Sequence, residues 1–147
     1  MEFLKIQNKG LLDERFLSLM GATTKSDDDL KIGKFGTGLK YVIPYLLRNN
    51  IYFEIWIGLN QVSISTQQVK IGDKVFKPIT INGVQKDITT EMGKQDWEAW
   101  MIIRELWCNA LDEEGAEKSI SFDCCGAEGY TTFMVIGLNT LSPILTC

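Results

Sequence analysis

The stretch IGKFGTGLKYVIPYLL, Ile32 to Leu47, decides how the first half of the chain is read. Gly33, Gly36 and Gly38 precede Lys40 and a mostly apolar run with helical spacing. Glycine is costly inside regular structure, and useful where backbone bends sharply or approaches a ligand closely. A helix start also presents unpaired N–H groups, which make it an anion site. The pattern predicts a helix from Thr37 to about Arg48, opened by Gly38, with Pro44 as an internal weakness. The glycines then serve as a phosphate cradle or as a tight turn.

Upstream, GATTKSDDDLKIGKFG from Gly21 to Gly36 reads as a long polar loop, of a length that is usually functional or disordered. Residues 2–7 read as a strand, Asn8-Lys9-Gly10 as a turn, and Asp13 as the cap of a short helix to about Met20. From Ile51 the period changes to that of strands. IYFEIWIG, QVSISTQQVKIG and KVFKPITING predict an antiparallel meander of three strands, and residues 84–95 a connection. Asp96 is placed to cap a long helix that reaches about Glu114 and ends near Gly115. SISFDCC and YTTFMVIGL, on either side of GAEG, read as a hairpin. The expectation is a single α+β domain over residues 1–147, with one layer of mainly antiparallel sheet and helices on one face.

Composition narrows the function classes. The 147 residues are 45% hydrophobic and 23% charged, ordinary for a globular domain with a real core. A net charge of −4 and the lack of a basic arm give no direct support for nucleic-acid binding. With no histidine, His-based triads and common zinc sites are excluded. Cys108, Cys124, Cys125 and Cys147 lack zinc-site spacing and read as reduced thiols. The first residues lack the apolar core of a signal peptide, and no stretch approaches a membrane span in length. A cytoplasmic protein without a membrane partner is expected.

The second informative stretch is MIIRELWCNALDEEG, Met101 to Gly115. At helical spacing Glu105, Asn109 and Asp112 share a sector of roughly 60°. Trp100, Ile103, Leu106, Trp107, Ala110 and Leu111 lie opposite, and Trp97, Trp100 and Trp107 read as core. Taken alone, the stripe is an ordinary solvent face. Together with a glycine-rich helix start it gains a chemical meaning. A carboxylate and an amide one turn apart can hold Mg²⁺ and orient a water beside phosphates.

These segments resemble the boxes of a known superfamily. ELWCNALDE, Glu105 to Glu113, is similar to the N box of the GHKL ATPases, the superfamily of Hsp90, gyrase B, MutL, MORC proteins and histidine kinases. IGKFGTGLK, Ile32 to Lys40, resembles its G2 box in the Hsp90-like and MORC-like form. FLKIQNKGLLDERFLSLMGATTKS, Phe3 to Ser26, resembles the G1 segment with the ATP lid behind it. The three cover under half of the chain, and they stand in a different order from the family's. The resemblance therefore implies a circularly permuted Bergerat-type two-layer sandwich. In the G1 segment Asn8 stands where the family has its adenine-reading Asp, and Leu12 where it has the second glycine.

The resemblance implies ATP and Mg²⁺ as ligands and a slow Mg²⁺-dependent ATPase of the hydrolase class, with lid closure coupled to a homodimer or a protein partner. Glu105 matches the general base and Asn109 the metal ligand. Asn8 and Gly10 match the adenine side, and Thr24 and Lys25 the lid. Gly33, Gly36 and Gly38 match the phosphate-contacting backbone, and Lys40 is placed to neutralise phosphate charge. The competing expectation is a regulatory or protein-interaction module that keeps the fold without turnover, which the altered G1 box motivates.

Overall fold

The computed structural model describes residues 2–13, 17, 29–93 and 97–136, with the backbone alone for 29–38. In chain order the elements are β1 (Phe3–Lys9), α1 (Asp29–Arg48), β2 (Phe53–Ile57), β3 (Asn60–Gln61), β4 (Ile64–Thr66), β5 (Val69–Ile71), β6 (Lys74–Phe76), β7 (Pro78–Ile81), β8 (Val84–Thr89), α2 (Ala99–Leu111), β9 (Glu117–Ser121) and β10 (Tyr130–Val135). The class is α+β. The main sheet has five strands in the order β3-β2-β10-β1-β9, all antiparallel.

Alternation along the strands decides what each face does. Leu4 and Ile6 of β1 stand in register with Val135 and Phe133 of β10, and these with Phe53 and Ile55 of β2. This apolar row meets both helices. From α1 come Leu39, Val42, Ile43 and Leu46, at the i, i+3, i+4, i+7 spacing of one helical face. From α2 come Ile102, Ile103, Leu106 and Ala110. Each fully buried aliphatic side chain contributes about 1.5–3 kcal/mol of burial free energy, so this seam carries most of the packing. Arg48 ends α1 by donating to the carbonyls of Thr90 (2.6 Å) and Met92 (3.0 Å).

The other face is covered by a crossover. β9 lies at the sheet edge and β10 between β1 and β2, so the connection 122–129 passes over β1. It settles on β2, where a Cβ on Gly126 would stand 2.1 Å from the Gly58 carbonyl oxygen and 2.9 Å from Trp56 Cβ, so only glycine fits. Beneath it Glu54, 8% exposed, accepts from the Tyr52 hydroxyl (2.5 Å) and Trp56 Nε1 (2.9 Å). Burial first, then the neighbouring Glu54 carboxylate, pushes the Cys124 pKa up to about 11.

Several expectations need correction. The helix expected from Thr37 begins at Asp29, so Gly33, Gly36 and Gly38 lie inside it and none opens it. Ile32, Phe35 and Leu39 continue the apolar spacing upstream, which is a helical signal that the glycines interrupt without breaking. The meander is not a single unit. β2 and β3 join the main sheet, β4-β7-β8 form a second sheet, and β5-β6 a hairpin. Residues 84–89, expected as connection, are strand β8, joined to β7 by Asn82-Gly83 with φ of +49° and +83°. The expected hairpin of SISFDCC with YTTFMVIGL does not form: β9 and β10 both pair with β1 instead. Asp96 as a cap, the 21–28 part of the loop and most of the short helix after Asp13 lie outside the described residues.

Candidate functional site

Helix α2 does not present Glu105, Asn109 and Asp112 as an ordinary solvent face. Asn109 is 6% exposed and lies on the core side with Ile102, Leu106 and Ala110. Trp100 and Leu111, expected opposite the stripe and Trp100 in the core, are 43% and 54% exposed. The helical spacing was sound, and the packed face is rotated toward Asn109. A buried amide needs partners, and Asn109 Nδ2 donates to Glu105 Oε1 over a long 3.4 Å.

Glu105 is part-buried at the neighbouring turn. Desolvation raises its pKa above the ordinary carboxylate value; the Asn109 bond and Arg104 oppose this, and Asp112 adds to it. The Arg104 guanidinium is held over the Trp100 ring at 4.8 Å. A carboxylate with a raised pKa and a neutral amide beside it is a proton acceptor of increased basicity.

The end of β1 approaches the end of α2, since Lys9 N–H donates to the Glu114 carbonyl at 2.7 Å. Asn8, 9% exposed, stands at this end on the helix-bearing face, in register with Thr131. Its Nδ2 donates to the Lys9 carbonyl at 2.8 Å, which leaves its oxygen as the atom suited to accept from a ligand. Gly10 follows with φ +100°, a conformation that favours glycine. Thr131 fixes that turn: its hydroxyl donates to the Gly10 carbonyl (2.7 Å) and accepts from Leu12 N–H (2.9 Å). Sequence reasoning missed Thr131. Its only signal was its position in a β-rich run, because its register with Asn8 is set across the sheet.

Asn8 and Gly10 thus stand at the end of β1 that meets the chain leaving α2, Asn109 lies in the last turn of that helix, and Glu105 lies one turn further back, in its middle. Lys40 is elsewhere: its Nζ stands 5.4 Å over the Tyr41 ring, which stacks on Trp97 just before α2. Gly33, Gly36 and Gly38 lie on α1, N-terminal to that contact. Thr24 and Lys25 lie outside the described residues.

An open cleft of about 260 Å³ lies at a neighbouring corner, lined by Leu12, Ile57, Asn60, Gln61, Val62 and Asn82. None of the expected site residues lines it. Among the described residues no group of three His, Cys, Asp or Glu is placed to hold a metal. Mg²⁺ does not need one, since it keeps waters and takes one or two protein oxygens beside phosphate. The Asn109 side-chain oxygen, opposite the nitrogen that donates to Glu105, is an oxygen of that chemical type. Among the described residues no helix is long and apolar enough to cross a membrane. No protein-family model, no curated protein and no solved structure matches this chain.

Proposed function

We propose that this chain is an ATP-binding domain of the GHKL type, a circularly permuted Bergerat fold that hydrolyses ATP slowly with Mg²⁺. The observation that carries the reading is Asn109, a polar side chain turned into an aliphatic core face one turn from a carboxylate with a raised pKa. Nothing in packing alone rewards an amide there. In this reading Glu105 takes the proton of the attacking water, and Asn109 holds Mg²⁺ through its side-chain oxygen. Bound Mg²⁺ would neutralise phosphate charge, the main requirement of phosphoryl transfer. Asn8 accepts from the adenine amino group, on a turn shaped by Gly10 and braced by Thr131.

The second reading is a module that keeps the site and binds without turnover. It is favoured by the glycines inside α1. N–H groups in a helix interior are already bonded and do not cradle phosphate as a helix mouth does.

Calorimetric titration with ATP, first with Mg²⁺ and then with EDTA, tests the proposal. Mg²⁺-dependent binding is expected, and its loss in Asn109→Ala. No heat at millimolar ATP overturns the nucleotide reading. Binding with turnover no greater than that of Glu105→Ala overturns the enzyme and leaves the module.

A further inference from the structure

The outer edge of the main sheet carries an apolar surface that the fold does not use. β9 is an edge strand, and among the described residues no strand pairs with its outer side. Such an edge offers unpaired N–H and C=O groups to another strand. Ile120 and, just beyond β9, Phe122 are 43% and 68% exposed. β9 pairs Lys118 with Ile6 and Ile120 with Leu4, so its even-numbered residues lie on the helix-bearing face. There Lys118 Nζ stands 4.9 Å over the Trp107 ring, which joins the edge to the outer side of α2. Leu111 extends the same side of α2.

We propose that β9 pairs antiparallel with β9 of a second copy of this chain, about a two-fold axis through Ser119. The sequence is self-complementary in that register. Lys118 faces Ile120 of the second copy, Glu117 faces Ser121, and Ala116 faces Phe122. No like charges stand directly opposite one another in this register, and Lys118 is drawn over the Trp107 ring. The bulky Phe122 of each copy meets the small Ala116 of the other. Ile120 and Phe122 of one copy are thereby covered by Trp107, Lys118 and Leu111 of the next. The contact is isologous and closes at two copies. It does not depend on the nucleotide reading.

Sedimentation velocity across the micromolar range reads the outcome. A concentration-dependent dimer is expected, weakened by about tenfold or more in Ile120→Lys and in Phe122→Ser. Both side chains are exposed, so unchanged circular dichroism should accompany the loss. The register has its own test. Directly opposed residues of an antiparallel pair have Cα atoms about 4.5–5.5 Å apart, within disulfide range. Mildly oxidised Ser119→Cys chain should therefore link to itself through position 119, as found by peptide mapping, whereas Glu117→Cys should not link through position 117. A monomer throughout, a dimer unmoved by both substitutions, or no link at position 119 overturns the proposal.

Discussion

The two faces of the main sheet bury polar groups in opposite ways. Under the crossover, Glu54 receives donors on both oxygens, from Tyr52 and Trp56, and lies close enough to Cys124 to raise its pKa. Under the helices, Asn109 and Glu105 share one 3.4 Å bond, and burial outweighs it in setting the Glu105 pKa. The first group is saturated by its own fold and serves to fasten the crossover. In the second the internal bond is long, and desolvation raises the Glu105 pKa in spite of it. Burial by itself therefore marks neither a site nor a strut; the degree of compensation separates them.

The largest test of this contrast is Glu54→Leu. It removes the acceptor shared by the exposed Tyr52 hydroxyl and the half-buried Trp56 N–H, and a hydrogen bond to a charged group contributes about 1.5–3 kcal/mol. Because water can replace the partner of Tyr52, a loss of about 2 kcal/mol in denaturant unfolding is expected. A loss under about 1 kcal/mol would show that the cluster is not a fastening and break the comparison.

Glu105→Gln should act in the opposite direction, with a smaller effect. The folded chain holds the Glu105 proton to higher pH than the unfolded chain does. Stability therefore falls as pH rises from the ordinary carboxylate value through the raised one. Removing the charge should raise the thermal midpoint at neutral pH, and the gain should fade in acid below the ordinary carboxylate range. A midpoint lowered at neutral pH would place Glu105 with Glu54 as a structural group.

The smallest effect sharpens the crossover side. With its pKa pushed up to about 11, Cys124 stays a thiol at neutral pH. Iodoacetamide should modify it about tenfold or more slowly than exposed Cys125. Equal rates, followed by peptide mass, would mean that the crossover does not hold Cys124 against Glu54.

Local periodicity made much of this legible. The apolar spacing of Leu39, Val42, Ile43 and Leu46 and of Ile102, Ile103 and Leu106 located the helical cores, and alternation located β1 and β2. Glu105 and Asn109 were legible as a pair because one turn of helix joins them. What failed was non-local. GAEG looks like a hairpin turn, yet β9 and β10 find better partners on either side of β1. Ile88 is the buried anchor of β8 among exposed and half-buried neighbours, so the strand has almost no alternating signal. Gly33 and Gly36 read as punctuation because propensity weighs on each residue separately, while a helix is maintained by its whole face. The position of Asn109 on the core side depends on how α2 is rotated against β1, which no window of sequence contains.

The placement of β1 also constrains when the fold can form. It spans residues 3–9, but both of its neighbours come from residues 117–135. β2 likewise pairs with β10 across most of the chain. During synthesis β1 leaves the ribosome well before either of its partner strands, and α1 before the α2 face it packs on. Contacts of such long sequence separation are closed late and slowly. The waiting N-terminal half is the part of the nascent chain most exposed to aggregation and most in need of a chaperone.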